Sequence, residues 1–577
     1  MQQRWGLPLV AWPLRLRPNT WDLVALPLVL GLLALIAWGS LAMSARYHLG
    51  QQLAISLDPW NLPEYALRTV LRMAWALVAS LIFSLAYAAL AAKSRQAEKI
   101  LIPLLDVLQS VPILGFLSIT VTGFIALFPG RLLGVECAAI FAIFTSQAWN
   151  MTFSVYQSLR TVPGELIEAA RMYHLSPWRR FWRLEVPHAI PSLVWNMMMS
   201  VSGGWFFVVA SEAITVAGQT ILLPGIGSYI AVAIKQQNLA AIGWAVFVMF
   251  VVILLYDQLL FRPLLAWSRK FQPESSADEE NVRPWFLIML QRARLFDLVQ
   301  TGLLGITHGI DGAIARVSRL RFPSAQRRPQ PSFERIYDIA VLALALAAAA
   351  WIVVFIHAHV GAAEIGWVFV LGMITAVRVL VLIAIASLIW VPIGVAIGLH
   401  PRLADRVQPI VQFLAAFPAN LFFPVVVVLI LHFHLNPELW LSPLMILGTQ
   451  WYILFNVIGG AAALPAELQR AAQNLGVRRL LWWRRVMLPA IFPAYVTGAV
   501  TAAGGSWNAS IVAEIVQWGN TVLTATGIGA YIARTTAAGD GARIALGISV
   551  LCLYVLAFNR LLWRRLYNLA AERLRLD

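Results

Sequence analysis

Pro163-Gly-Glu-Leu-Ile-Glu168-Ala-Ala-Arg-Met-Tyr-His174-Leu-Ser-Pro-Trp-Arg-Arg-Phe-Trp-Arg-Leu-Glu-Val-Pro187 and Pro465-Ala-Glu-Leu-Gln-Arg470-Ala-Ala-Gln-Asn-Leu-Gly476-Val-Arg-Arg-Leu-Leu-Trp-Trp-Arg-Arg-Val-Met-Leu-Pro489 are two versions of one segment, and the pair decides how the chain is read. Pro187 and Pro489 lie 302 positions apart. The same shift superposes Trp149 on Trp451, Pro191 on Pro493, Trp205 on Trp507 and Glu212 on Glu514. It also lays Gly225-Ile-Gly-Ser-Tyr-Ile-Ala231 on Gly527-Ile-Gly-Ala-Tyr-Ile-Ala533. Apolar composition alone does not align Trp, Glu, Pro and Gly in one register, so the chain is a duplication.

Around these segments the 577 residues are 60% hydrophobic and only 12% charged, with mean hydropathy +0.75. Soluble domains run at about 45–50% and about 25%. So little polar surface cannot cover a core of this size, which excludes a water-soluble enzyme. The formal charge of +16 does not signal nucleic-acid binding, because Arg and Lys sit in short turns between apolar runs and no base-reading module is present. Cys137 and Cys552 both lie inside apolar runs and suggest neither a disulfide nor a metal site. The His432/His434 and His357/His359 pairs carry no metal-ligand pattern, and no catalytic constellation occurs.

A span needs roughly 20 apolar residues. Spans are expected near 23–43, 65–92, 100–128, 132–156, 188–214 and 240–261, and again near 338–357, 367–399, 409–434, 441–463, 490–515 and 542–561. Pro112 and Pro418 should kink or interrupt the long third spans. The segment up to Asp22 carries Arg4, Arg15 and Arg17, and the run after it reads as an anchor helix. Positive charges concentrate in the even-numbered turns, which places both termini and the linker in the cytoplasm. The expected fold is an all-α polytopic membrane protein of about twelve helices, two parallel six-helix repeats about an axis along the membrane normal. The halves are 1–262 and 336–577. The basic linker 263–335 carries an acidic patch at Asp278, Glu279 and Glu280, and its apolar stretch Trp285 to Leu320 fits interfacial helices better than another span.

In each turn the Pro opens a helix whose small Ala pair lets another protein approach closely. A break at 174 or 476 follows, and Ser176-Pro177 is an N-cap and first-turn pair for a second short helix. These turns resemble the Glu-Ala-Ala loop of ABC importer permeases, with its Gly six residues after the Glu and its Leu-Pro at the end. The resemblance covers about 60–270 and about 365–570. It implies the transmembrane domain of a type I importer, whose turns 163–187 and 465–489 couple to ATPase subunits. The coupling positions would be Glu165, Glu168, Ala169, Ala170, His174, Leu175, Ser176 and Pro177, and Glu467, Arg470, Ala471, Ala472, Gly476 and Val477. His174 stands where the pattern has Gly, a position His tolerates in a left-handed turn. Arg470 stands where it has Glu, which implies two non-equivalent docking sites.

The chain has no Gly-x-x-x-x-Gly-Lys-Ser/Thr sequence. The resemblance therefore implies that this chain binds no cofactor, and that ATP and Mg sit on two separate cytoplasmic ABC ATPases. A periplasmic or extracellular binding protein would deliver solute, in the bacterial inner membrane. The segments Trp205-Phe-Phe-Val-Val-Ala-Ser-Glu212 and Trp507-Asn-Ala-Ser-Ile-Val-Ala-Glu514 look similar to the nitrate/sulfonate/taurine branch, and imply a small anion. The fused arrangement is also similar to ferric-iron permeases. An ion-coupled secondary transporter is the competing class, and would need mid-membrane carboxylates that are scarce here.

Ionisable groups within spans cost about 2.5–3.5 kcal/mol each and are functional by default. Glu212, Glu514 and Arg378 qualify, and Asn150, Asn196, Asn456 and Asn508 add polar groups. One reading makes Trp205, Glu212, Trp507, Asn508 and Glu514 a gate or pathway lining, with Arg378 an anion contact. The other has the Glu residues pair with neighbouring backbone and hold loops, while Arg378 snorkels. The sequence leaves both open.

Overall fold

The computed structural model describes residues 20–47, 53–111, 113–216, 219–271, 285–292 and 331–573. The acidic patch, most of the linker, and the segment carrying Arg4, Arg15 and Arg17 lie outside the described residues.

The first half runs α1 (Thr20–Met43), α2 (Leu62–Lys93), α3 (Arg95–Ser110), α4 (Ile113–Leu127) and α5 (Leu133–Arg160). Short α6 (Gly164–Met172) and α7 (Pro177–Arg180) follow, then a π-helical turn at Phe181–Glu185 and the long α8 (Val186–Glu212). A hairpin of β1 (Ala213–Val216) and β2 (Gln219–Leu222) leads to α9 (Ile226–Lys235), α10 (Leu239–Tyr256) and α11 (Arg262–Ser268). Of the linker, α12 (Trp285–Arg292) is described; it buries Met289 against Phe286 and exposes Trp285.

The second half runs α13 (Pro331–His359), α14 (Ala362–Gly398), α15 (Pro401–Ala416), α16 (Phe423–His432), α17 (Pro437–Trp440), α18 (Gln450–Ala462), α19 (Ala466–Asn474), α20 (Arg479–Trp482) and α21 (Leu488–Ala513). Then come β3 (Ile515–Trp518), β4 (Thr521–Thr524), α22 (Ile528–Ala538), α23 (Gly541–Phe558) and α24 (Arg564–Arg573). Both hairpins are antiparallel, in the same register 302 positions apart. Further along the chain the copies coincide down to the caps. Asn238 accepts from the Ala241 N–H and Asp540 from the Arg543 N–H. That bond and the Arg543 guanidinium hold the Asp540 carboxyl below the usual carboxylate range.

The expected spans all fall on helices or helix pairs. Among the described residues seven helices are long and apolar enough to cross a membrane, nine if two bent pairs each count as one. The third span of each half breaks at its proline, as expected. Val111 and Phe417, the residues before Pro112 and Pro418, are extended (φ −76°, ψ 126° and φ −73°, ψ 127°), which is what a following proline imposes. Two features differ from expectation. The fifth spans stop at Glu212 and Ala513, and the β-branched residues beyond them form hairpins instead of prolonging the helix. The fourth span of the second half is bent by 45° between Pro437–Met445 and Gln450–Ala462, where the first half has the unbroken α5.

At the centre of the first half α5 packs on α2, α4 and α8, and in the second α18 packs on α14 and α21. The halves are stitched together reciprocally. The Ile113 N–H, just past the break in one half, donates to Asn508 Oδ1 of the other at 3.0 Å. Asn420, just past the other break, donates to the Phe206 carbonyl at 3.2 Å. At the hairpin end of the bundle the Gly519 N–H donates to the Ile234 carbonyl at 3.0 Å. Gly519 is left-handed (φ +58°), and a β-carbon there would collide with the Gln237 side chain of the other half. Gly519→Val should therefore lower the thermal unfolding midpoint of the detergent-solubilised chain, by strain of about 1–2 kcal/mol plus the displaced amide. Adding Gln237→Ala should recover only the second part.

Candidate functional site

At the hairpin end, Thr69 and Arg72 sit about one turn apart on α2, Glu136 opens α5, Glu212 closes α8, and the N-terminus of α9 faces them. The Arg72 guanidinium grips Glu136 in a two-pronged pair (Nε–Oε2 2.5 Å, Nη2–Oε1 2.8 Å) and reaches Glu212 Oε1 at 2.7 Å. It also donates to the Pro224 carbonyl at 2.9 Å. The Glu212 carboxylate accepts from Thr69 Oγ1 (2.6 Å) and from the Gly227 N–H (2.6 Å), and the Ile226 N–H donates to Thr69 Oγ1 (3.1 Å). All three charged side chains are fully buried. Their formal sum is one negative charge, set against the positive end of α9.

The second half builds the same node. Thr375 Oγ1 donates to Glu514 Oε1 (2.8 Å), Arg378 Nη1 pairs with it (2.8 Å), and the Ala530 N–H donates to Oε2 (3.1 Å). Arg378 Nη2 donates to the Thr526 carbonyl (3.2 Å) and meets Glu438 at 3.4 Å. This node is less sealed. Glu438 is 47% exposed, and it accepts from both the N–H and the hydroxyl of Thr526.

The repeated Gly-Ile-Gly follows from these carboxylates. Gly225 and Gly527 are extended, so their need for glycine is spatial. A β-carbon at either would overlap the carboxylate of Glu212 or Glu514. At Gly227 and Gly529 it would strike the Val209 or Ser510 carbonyl, where the next helix crosses α8 or α21.

These contacts match the second reading of the ionisable residues, in which they pair with neighbouring groups. Glu212 and Glu514 bond to backbone N–H groups and hold the hairpin and the next helix to the second spans. Arg378 is 11% exposed, with its guanidinium engaged by two carboxylates and a carbonyl. Trp205 and Trp507, two other residues of the lining reading, lie within the packed helices. They are 1% and 3% exposed and pack on Tyr256 and on Tyr554 with Phe558, within their own halves. Asn508 lies on the seam between halves. Sequence reasoning missed Thr69, Arg72, Glu136, Thr375 and Glu438. Arg72 and Glu136 lay inside expected spans, and Thr69-Val-Leu-Arg72 is echoed by Thr375-Ala-Val-Arg378. That echo has a shift of 306, so a comparison at 302 passes over it.

At the opposite, turn end, α6 and α19 end alike. His174 (φ +50°) and Gly476 (φ +68°) are both left-handed, so the His substitution preserves the break. The Leu175 and Val477 N–H groups return to the Ala170 and Ala472 carbonyls at 3.0 and 2.9 Å, closing the helix ends. Ser176 caps α7 through the Arg179 N–H, and Pro177 is its first residue. Arg479, at the position of Pro177, has φ +51°, so the second turn leaves its break by a different path. Glu165, Glu168, Glu467 and Arg470 are exposed. Ala170 and Ala472 are each 5% exposed and face inward. Of each Ala pair, Ala169 is half-buried and Ala471 exposed. Met172, Tyr173 and Leu475 stand out at 75–80% exposure. The first turn is also tethered: Glu185 pairs with Arg180 (2.8 Å) and Lys93 (3.1 Å), and Lys93 lies over the Phe181 ring. Met487, fully buried, holds the place of Glu185 in the second.

The unequal sealing of the nodes has a measurable outcome. Removing one partner of a buried pair costs about 3–5 kcal/mol. Arg72→Gln, which strands two buried carboxylates, should lower unfolding stability by that order. Arg378→Gln should cost clearly less, because Glu438 is open to water. Chemical denaturation in detergent reads the order, and an equal or reversed pair would contradict it.

Residues 80–262 and 389–567 each match the family described as binding-protein-dependent transport system inner membrane component. The chain is 31% identical over 149 residues to the bicarbonate transport system permease protein CmpB of Synechococcus elongatus, covering 26% of this chain and 50% of that protein. It is 27% identical over 184 residues to the nitrate import permease protein NrtB of Leptolyngbya laminosa (32% and 62%). It is 27% identical over 141 residues to the taurine transport system permease protein TauC of Escherichia coli (24% and 49%). The chain spans about half the length of the curated relatives it matches. With the family matched once in each half, over well more than half of its residues, this chain belongs to the binding-protein-dependent transport system inner membrane components.

Proposed function

We propose that this chain is the transmembrane permease subunit of an ATP-driven importer for a small anionic or sulfonate-bearing solute, of the kind named for its bicarbonate, nitrate and taurine relatives. The halves 1–262 and 336–577 form the pathway, joined by the linker 263–335. Two separate ABC ATPases holding ATP and Mg seat on the turns 163–187 and 465–489 from the cytoplasm, where both termini lie. A binding protein hands over the solute at the hairpin end. Chain-borne chemistry is not required, since the work is done by ATPases pulling on the turns and rocking the bundles.

The observation that carries this reading is the pair of exposed apolar tips, Met172 with Tyr173 and Leu475, at the ends of matching short helices. Large apolar side chains left 75–80% open on a turn ringed by Arg and Glu suit seats on a partner protein. The rigid nodes at the far end support it as well. Each ties the second span, the fifth span and the following helix into one body, so motion at a turn is delivered whole to the hairpin end.

Truncating a well-seated apolar anchor costs about 2 kcal/mol or more, roughly thirtyfold in affinity. Tyr173→Asp and Leu475→Asp should each abolish co-purification of the ATPase and the ATP hydrolysis stimulated by loaded binding protein, with insertion and melting unchanged. Full stimulation in both variants would overturn the coupling role. Concentration of solute by the chain alone under an ion gradient would overturn the importer reading itself.

A further inference from the structure

At the hairpin end of the first half, two arginines face each other across an isolated antiparallel bridge. Arg46 follows α1, Arg131 precedes α5, and their backbones pair directly. The Tyr47 N–H donates to the Gly130 carbonyl at 3.1 Å, and the Leu132 N–H to the Ala45 carbonyl at 2.9 Å. With the bonds on the flanking residues, Arg46 and Arg131 are a non-hydrogen-bonded pair, in which α-carbons approach to about 4.5 Å and side chains lie closest. Tyr47 and Leu132, the next residues, are buried, whereas Arg46 and Arg131 are exposed. Both arginine side chains therefore leave the bridge on its outer face.

Like charges directly opposite each other are destabilising, and arginine cannot relieve this by losing a proton. Neither side chain has an ion pair or a hydrogen bond among the described residues. Residues 48–52, which continue the chain, contain no acid. Glu136, a little further along, is committed to Arg72. Arg131 also stands two residues ahead of α5, a helix of 28 residues whose first turn no side chain caps, so its positive end adds to the pair. The second half has no equivalent, since Arg131 falls on Phe433 or Pro437 at the shifts of 302 and 306. Positive charge otherwise gathers at the turn end. A pair at the hairpin end calls for an anion of its own.

The surroundings say which anion. Helix α1 packs on α2 and α12, and turns Leu30, Leu33, Leu35 and Leu41 outward. Leu127, at the end of α4 and one turn before Arg131, is exposed as well. A small soluble anion gains nothing from those side chains, whereas an acyl chain lies along them while its phosphate meets the two guanidiniums. Arginine matches phosphate oxygens in a two-pronged fashion. A headgroup with its own cation would bring a third positive charge to the pair. We propose that Arg46 and Arg131 clamp the phosphate of an anionic glycerophospholipid, one whose headgroup carries no cation, as a lipid site of the first half alone.

The test uses the full chain in detergent, without ATPases or solute, so that its failure leaves the importer reading standing. Native mass spectrometry counts retained phosphatidylglycerol and phosphatidylcholine, and thermal unfolding follows each titration. Any phosphatidylglycerol held by the Arg-rich turn end is common to all variants, so the readout is the difference from the parent chain. The parent should retain one phosphatidylglycerol more than the double variant Arg46→Gln with Arg131→Gln. Each single change should weaken that lipid about tenfold. In lipid-free detergent neither single variant should melt lower than the parent, because each removes a like charge. Equal phosphatidylglycerol counts in parent and double variant, phosphatidylcholine held as tightly at the pair, or a lower lipid-free melting midpoint in either single variant would each overturn the proposal. So would inorganic phosphate that raises the parent's melting midpoint as far as phosphatidylglycerol does, because the site would then belong to a soluble anion.

Discussion

A carboxylate ends the fifth span of each half, pressed against glycine backbone where no β-carbon fits, and much of the hairpin end is arranged around it. Glu212 and Glu514 each satisfy N–H groups at the start of the next helix, and each needs a threonine and an arginine from the second span as counter-groups. Burying ions is a poor way to gain stability, because desolvation offsets the attraction. It is an effective way to specify geometry, since any displacement leaves a charge unpaired in an apolar interior. Three elements that apolar packing alone would let slide, the second span, the fifth span and the helix after the hairpin, are thereby locked in one relation.

The two copies of this lock have diverged, and the divergence is consistent along the molecule. The first node is fully buried, while the second is exposed at Glu438. The first turn is tied back by Glu185 to Lys93 and Arg180, whereas the second rests on buried Met487. The first half has an unbroken α5, while the fourth span of the second is bent. Fusion into one chain permits this: a homodimer must place identical groups on both sides of its axis, but a duplicated chain is free to let the two sides differ.

Much of this was legible in the sequence for a simple reason. Helices in apolar surroundings must satisfy their backbone internally, so hydropathy and prolines report directly on spans and breaks, as at Pro112 and Pro418. The matching turns were legible because capping and left-handed breaks are local, and Ser176-Pro177, His174 and Gly476 declare themselves within a few residues. The importance of Glu212 and Glu514 was legible from their cost. What they touch was not, since Thr69 and Arg72 lie some 140 residues away and recur at a shift of 306 that four residues lost between them and the turns had hidden.

The amino-acid sequence by itself determined the class, the duplication, the helices and their interruptions, and the matching turns, because each depends on periodicity, composition or contacts within a few residues. Only the tertiary structure decided which way side chains face. It turned Ala170, Ala472, Trp205 and Trp507 inward and occupied Arg378 with carboxylates. Those outcomes depend on the rotation of each helix about its own axis. That rotation is set by the neighbours it packs against, which no single segment encodes.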